Sequence, residues 1–351
     1  MNEQRIRVLI VDDSYFMLVA LKTILESDNQ IEVIASAKSG LEAITKIKEL
    51  QPDVITIDIN MPYLDGIKSI QLIMAECPVP IIVISAYTTD KESEKTIAAL
   101  SAGAVDYIGK PDGEVSTTLN KYSEIIINKV KIAASANVKK IQILSKKNIV
   151  KAEISDLSEN IILVGISTGG PSTLKQLLSL LKPNLDFSMI IAIHITEMYS
   201  QKLSELLDEV CPYKVQRAEE GLKLKRGNIY VCSSGHNTEL TFDLKLKKTP
   251  VLPKQVYIPS ADVLFNSALK HAKIKNVLGM VLTGMGNDGS KGIIELYNSG
   301  ASVVIQDEKS SVLYGMPKSA KQTGCYHYEL ALSDMPDLIE KFTQKKLMKR
   351  R

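Results

Sequence analysis

Short runs of aliphatic and β-branched residues recur along the chain, each followed by a longer stretch whose apolar positions repeat every three or four residues. The first kind reads as a buried strand and the second as an amphipathic helix. Their alternation predicts α/β units, each with a parallel sheet between layers of helices. The opening strands are Arg7–Val11, Ile31–Ser36, Val54–Asp58, Ile81–Ser85 and Ala104–Ile108, with helices near 15–27, 40–50, 66–76, 90–101 and 114–129. This is a (βα)5 unit closing by residue 128.

From Lys129 to Lys151 every charged residue is a lysine, and no Gly or Pro interrupts the stretch. Residues 129–157 therefore read as a solvated connecting helix or linker, with a partner-binding surface as the alternative. At Ile161 the pattern restarts with the strand IILVGIS, a Gly-rich turn and the helix-like PSTLKQLLSLL. Strands follow at Met189–His194, Val215–Ala218, Asn228–Cys232, Val277–Leu282 and Ser302–Ile305, with helices near 198–209, 261–272 and 290–299. The segment TELTFDLKLKK alternates apolar and polar residues, as a half-exposed antiparallel hairpin does. Residues 158–345 thus read as a second, doubly wound α/β unit with an added β-hairpin, and 346–351 as a basic tail.

A length of 351 residues suits two such units. Lys plus Arg number 43 against 40 Asp plus Glu, a net charge of +3. So small an excess creates no large field toward nucleic acid or anionic lipid, so neither a nucleic-acid partner nor membrane insertion is expected. The longest apolar runs, Pro80–Ala86 and Met189–Ile193, are far shorter than the roughly 20 residues that cross a bilayer. Cys77, Cys211, Cys232 and Cys325 show neither metal-ligand spacing nor the density of a disulfide framework. With no apolar leader at the start, a cytoplasmic location is expected.

Ligands of open parallel sheets bind outside the carboxyl ends of the strands. Asp12 and Asp13 follow the first strand and Asp58 ends the third, a gathering of hard oxygen ligands that suits Mg²⁺. Ser85 ends the fourth strand and Lys110 follows the fifth, adding a hydroxyl and an ammonium able to contact a phosphoryl group on a carboxylate. Singly, such residues are often helix caps or turn residues. Five at matching strand ends make a site.

Through VLIVDDS, DVITIDINMPYLDG, VISA and DYIGKP, residues 5–125 resemble the receiver domain of bacterial response regulators. The resemblance implies a flavodoxin-like fold with Asp58 as phosphoacceptor. It also implies Asp13, Asp58 and the Asn60 backbone carbonyl as Mg²⁺ ligands, and Asp12 as a supporting acid. Ser85 and Tyr107 would form the switch pair, with Lys110 contacting the phosphoryl group.

The turn Gly165-Ile166-Ser167-Thr168-Gly169 has the G-x-S-x-G spacing that exposes a serine hydroxyl between a strand and a helix. It lacks the Lys-Ser/Thr of a P-loop and the middle glycine of a dinucleotide turn. His194 closes the strand MIIAIHI; His236, in the loop SSGHN, is its best rival as a base. A third strand-turn-helix unit, Val281 to Gly289, fits G-x-G-x-x-G, and Asp307 follows at a ribose-binding distance, so nicotinamide binding is an alternative. Against it, Asp288 falls inside the loop, where its charge would repel a pyrophosphate. A carboxylate beside serine and histidine turns is what a triad needs. A DNA-binding output would require a helix-turn-helix or basic face after residue 130, and neither pattern appears.

From about residue 158 onward, VGISTGGPSTL, AIHIT, GNIYV, SGH, PSADVLFNSA, LTGMGNDGSKGI and IQDEKSSVLYGMPKSA are similar to the CheB family of chemotaxis protein-glutamate methylesterases and glutaminases. The resemblance implies Ser167 as nucleophile, His194 as general base and acid, and Asp288 as its orienting carboxylate. Backbone amides near Thr168 and Met285 are the oxyanion candidates. Ile195-Thr196 stands where the family usually has Met-Pro, and Ser234-Gly235-His236 where it favours PGH, departures that bear on pocket shape. The implied reaction is demethylation, with deamidation, of chemoreceptors under control of a chemotaxis histidine kinase. Mg²⁺ would serve the receiver only, and no cofactor the hydrolysis.

Overall fold

A computed structural model describes residues 5–61, 66–86, 90–110, 115–140, 157–272, 275–345 and 347. The chain divides into two compact units between Ser145 and Lys146.

The first unit alternates β1 (Ile6–Val11), α1 (Tyr15–Glu26), β2 (Ile31–Ala37), α2 (Gly40–Leu50), β3 (Val54–Asp58), α3 (Gly66–Glu76), β4 (Ile81–Ala86), α4 (Asp90–Ser101), β5 (Asp106–Lys110) and α5 (Val115–Ala134). The sheet order is β2-β1-β3-β4-β5 with every pairing parallel. Leu9 and Ile10 of β1 and Ile55 and Ile57 of β3 are all inaccessible to solvent. Burial on both faces is why these strands read as continuous apolar runs rather than alternating ones. From β1 the chain runs first to one side and then to the other, so the ends of β1 and β3 flank the crevice where ligands bind.

Two differences from the sequence pattern have local causes. Strand β5 begins at Asp106 rather than Ala104, because the Ala104 amide still donates to the Ala99 carbonyl at the end of α4. Helix α5 continues to Ala134, past residue 128, because Ile126, Val130 and Ala133 keep a buried face at helical spacing. Lys129 and Lys131, expected in a solvated segment, instead pair with Asp106 at 2.9 Å and Asp28 at 2.5 Å. Residues 141–156 of the expected connecting segment, and 346 and 348–351 of the expected tail, lie outside the described residues.

The second unit contains β6 (Asn160–Ile166), α6 (Gly170–Ser179), β7 (Ser188–Ile193), α7 (Glu197–Val210), β8 (Lys214–Arg217) and β9 (Asn228–Val231). The antiparallel hairpin β10 (Asn237–Leu240) and β11 (Leu246–Thr249) follows, in the segment whose alternation predicts it. Then come α8 (Ala261–Ser267), β12 (Asn276–Val281), α9 (Ser290–Asn298), β13 (Ser302–Gln306), α10 (Met316–Gln322), β14 (Tyr328–Leu330) and α11 (Met335–Thr343). The parallel sheet has the order β14-β13-β12-β6-β7-β9-β8. The strand order reverses between β6 and β12, which puts the main crevice at their carboxyl ends.

Helices α10 and α11 do not stand out in the sequence because Pro317 and Pro336 read as breakers; both prolines sit in a first turn, where no amide donor is needed. Strand β14 is three half-buried residues at the sheet edge, too short for a pattern.

Helix α8 lies against β6 at Gly165, where a Cβ would come 2.7 Å from the Ala261 Cβ. Glycine therefore lets the start of α8 approach the central strand. Gly165→Ala is expected to push α8 off the sheet and destabilise this unit by about 1–3 kcal/mol, as overpacking does. Thermal melts of the full chain check this, and an unchanged transition would contradict it.

Candidate active site

Three side chains converge at the carboxyl end of the second sheet. Ser167 follows β6, His194 follows β7 and Asp288 lies in the loop between β12 and α9. His194 Nδ1 is 3.0 Å from Ser167 Oγ, and His194 Nε2 is 2.7 Å from Asp288 Oδ2. The turn that presents Ser167 is held by its amide, which donates to the Thr283 carbonyl at 3.0 Å. Gly169 then takes a left-handed conformation (φ +75°), with Val312 packed where a side chain would stand.

Asp288 is 1% exposed, so its charge requires internal partners. Oδ2 accepts from His194 and from the Ala261 amide at 2.7 Å. Oδ1 accepts from the Ser260 hydroxyl at 2.9 Å and from the Asp262 and Gly289 amides at 3.1 and 3.0 Å. Burial works to raise the Asp288 pKa, but the hydrogen bonds from His194, Ala261 and Asp262, with the His194 charge, outweigh it and hold the carboxyl below its ordinary value. An ionised Asp288 offers only acceptors, so the network assigns the proton to Nε2 and leaves Nδ1 free to accept from Ser167.

The same contacts argue against the nicotinamide alternative. The Gly289 amide at the start of α9, which a pyrophosphate would need, already serves Asp288, and Asp307 caps its own turn by accepting from the Ser310 amide and hydroxyl. The other histidines have different partners. His236 Nε2 lies 3.3 Å from Ser233 Oγ, and burial, followed by the charge of Lys248, lowers its pKa. His271 Nε2 contacts the Thr241 carbonyl, and His327 Nδ1 accepts from the Val303 amide.

Among the described residues, the amides of Thr168 and Met285 have no acceptor. Each shares a rigid peptide plane with a carbonyl that is held on the opposite side. Ser167 O accepts from Gly170 N at 2.7 Å, and Gly284 O accepts from Gly315 N and Met316 N at 3.1 and 2.8 Å. Gly284 passes so close that a Cβ there would lie 2.7 Å from the Ser167 Cβ. Both amides are thereby fixed beside the serine.

Sequence reasoning missed Tyr257, whose ring stacks on His194 with centroids 5.2 Å apart. No pattern announces it. Ser260 lies in PSADVLFNSA, where an N-cap preference marks a helix start but not the bond to Asp288.

In the first unit, ligand oxygens of Asp12, Asp13 and Asp58 lie within 4.8 Å of one another. Lys110 Nζ is 2.7 Å from Asp58 and 3.2 Å from Asp12. Burial raises the Asp12 pKa, outweighing Lys110; burial would lower that of Lys110, but the bond to Asp58 and the two negative charges raise it. The two shifts point opposite ways for an Asp12–Lys110 pair, and they are reconciled by the shorter contact, which pairs Lys110 mainly with Asp58. Ser85 stands one position beyond Ile84, the partner of Asp58 across β3 and β4, and its buried Oγ accepts from Thr96 Oγ1 at 3.1 Å. Asn60 donates its amide to Asp58 Oδ1 at 3.1 Å. Tyr107 is half-buried, with Lys129 Nζ 5.0 Å from its ring centroid. Three converging carboxylates, two of them buried, form a donor set that suits a small hard divalent cation.

The CheB methylesterase family model matches residues 162–339, and the response regulator receiver domain model matches residues 8–119. The chain is 40% identical over 333 residues to protein-glutamate methylesterase/protein-glutamine glutaminase 2 of Carboxydothermus hydrogenoformans, covering 91% of this chain and 94% of that protein. A Salmonella typhimurium protein-glutamate methylesterase/protein-glutamine glutaminase is 35% identical over 325 residues, covering 91% and 92%. The crystal structure of the Thermotoga maritima CheB methylesterase catalytic domain is similar to 53% of this chain and 99% of its own, with 26% identity and a TM-score of 0.50. Among the described residues no helix is long and apolar enough to cross a membrane.

The Asp288 environment has a pH signature. An unfolded aspartate titrates near about 3.9, and Asp288 is held below its ordinary value in the fold. Its carboxylate therefore contributes stability above about pH 4 that is lost as pH falls through the folded value. Asp288→Asn is expected to cost more stability at pH 7 than at pH 3. Urea unfolding at both pH values checks this, and an equal cost would contradict it.

Proposed function

The chain belongs to the CheB methylesterase family and carries a response-regulator receiver ahead of the catalytic module, and on that premise we propose that it is a phosphorylation-controlled serine hydrolase of chemotaxis adaptation. Its substrates are glutamyl γ-methyl esters on chemoreceptors, converted to glutamate and methanol; deamidation of receptor glutamine follows the same course with ammonia as leaving group. The reading rests on one observation, the hydrogen-bonded chain from Ser167 through His194 to Asp288. On this reading residues 158–345 form the catalytic domain and 1–128 the receiver, whose last helix runs on to Ala134.

In the first half-reaction Ser167 Oγ attacks the ester carbonyl carbon while its proton passes to His194 Nδ1. The carbonyl π electrons move onto oxygen, and the amides of Thr168 and Met285 receive that charge. Asp288 stabilises the imidazolium through Nε2 without taking its proton. Collapse of the tetrahedral intermediate breaks the bond to methoxide, which takes the proton from Nδ1 and departs as methanol. Water then attacks the acyl-enzyme by the same route, and Ser167 regains its proton as glutamate leaves.

The receiver accepts a phosphoryl group on Asp58 from a histidine-kinase phosphodonor. Asp13, Asp58 and the Asn60 carbonyl are the residues that would hold Mg²⁺, with Asp12 as the supporting acid. When bound, the ion supplies positive charge for the phosphoryl oxygens. Lys110 contacts the same oxygens, and the hydroxyl of Ser85 leaves Thr96 to join them as Tyr107 reorients. A phosphoryl group on Asp58 takes no part in ester hydrolysis, so it acts by shifting the populations of receiver states.

Methanol release from methylated receptor membranes tests both halves. Ser167→Ala is expected to abolish release, and Asp288→Asn to lower kcat by roughly 10³–10⁴-fold in a folded protein. His236→Ala should stay within about threefold of the parent, as for a residue outside the triad. Near-parental release by Ser167→Ala would remove the nucleophile, and a larger loss from His236→Ala than from Asp288→Asn would reassign the base. A phosphodonor should accelerate the parent but not Asp58→Asn; equal acceleration of both would contradict Asp58 as phosphoacceptor.

A further inference from the structure

A polar cluster behind the Ser167 turn is as completely buried as the hydrophobic core. Thr283, two residues beyond β12, and Gln306, the last residue of β13, are both inaccessible to solvent. The Thr283 hydroxyl donates to the Thr168 carbonyl at 3.1 Å, with the Leu313 carbonyl a longer alternative at 3.3 Å, and accepts from the Leu313 amide at 2.9 Å. Its own carbonyl takes the Ser167 amide, and its amide donates to Gln306 Oε1 at 2.8 Å. Gln306 Nε2 in turn donates to the Ser310 carbonyl at 2.9 Å. One threonine thus ties together the nucleophile turn, the turn carrying Met285, and the loop from Asp307 to Gly315.

The consequence lies in peptide geometry. Thr168 is joined to Ser167 by one peptide plane and to Gly169 by the next. The bond from Gly170 N fixes the first plane, and the bond from the Thr283 hydroxyl fixes the second. The same hydroxyl grips Leu313 N, whose carbonyl receives Gly284 N one residue before the Met285 amide. A valine would fill the same volume, yet it would leave the Thr168 carbonyl and the Leu313 amide without this shared partner.

We infer that Thr283, supported by Gln306, is a positioning residue for the hydrolysis, its hydroxyl setting the aim of the Thr168 and Met285 amides at the developing oxyanion. This rests on the reading of Ser167 as nucleophile. Thr283 touches no reacting atom; it acts through the two amides, which matter most in the transition state, so its loss falls on kcat rather than on KM.

The test uses the full chain with phosphodonor, following methanol release over a range of methylated-receptor concentrations. Removing a whole oxyanion donor costs about 10²–10³-fold in kcat. Misaiming two donors through Thr283→Val is expected to cost on the order of 10- to 100-fold, with KM within about twofold. Thr283→Ser, which keeps the hydroxyl, is expected to recover most of kcat. The acid limb of the kcat profile, set by the triad, should not move. A folded Thr283→Val with parental kcat, or a Thr283→Ser as impaired as the valine variant, would overturn the inference. If Thr283→Val does not fold, Gln306→Met, which removes the acceptor of the Thr283 amide, carries the test: a several-fold loss of kcat at constant KM supports the inference and parental kcat overturns it. Activity in Ser167→Ala would instead mark failure of the underlying reading.

Discussion

A charged carboxylate removed from water must be met by donors or it will not stay charged. Asp288 is the clearest case in this chain, and much of the second unit is arranged around it. Five donors reach its two oxygens, from the tip of β7, the residues that open α8 and the loop that opens α9. The approach of α8 depends in turn on Gly165, which leaves room for Ala261 against the central strand. The orientation of His194 then follows, because an acceptor-only partner at Nε2 leaves Nδ1 to accept from Ser167. A packing constraint deep in the sheet therefore decides which nitrogen faces Ser167.

The receiver meets a related constraint by a different means. Asp12 and Asp58 are both buried, and the ammonium of Lys110 reaches both, while among the described residues each accepts a single amide, from Ser14 and Asn60. Among the described residues one ammonium faces two buried carboxylates with a third beside them, an acidic pocket of the kind that holds a divalent ion. Asp288 has its donors within the fold, whereas the three receiver acids form a donor set open to a cation.

Much of this was legible in the sequence because it follows from strand ends. Ser167, His194, Asp12, Asp58 and Lys110 each lie at the carboxyl end of a parallel strand, and Asp288 just beyond one, so the alternating pattern that marks the strands also marks the crevices. Nothing in the sequence says which way the amides of the candidates Thr168 and Met285 point, and the fixed carbonyls of their peptide planes supply that geometry. Tyr257, Thr283 and Gln306 were not legible, since each acts through contacts between segments far apart in the chain. The lysines at 129 and 131 misled for a related reason: a like-charged run reads as solvated until the acids it faces, Asp106 and Asp28, are brought near by the fold.

If Ser167 is an activated nucleophile, covalent trapping finds it directly. The full chain is treated with a fluorophosphonate, which bonds irreversibly to activated serine hydroxyls, and the labelled peptide is mapped by mass spectrometry while residual esterase activity is followed. The account predicts a single label on Ser167, with activity lost in proportion to labelling. Full esterase activity after stoichiometric labelling of Ser167, or inactivation through a label on another residue, would contradict it.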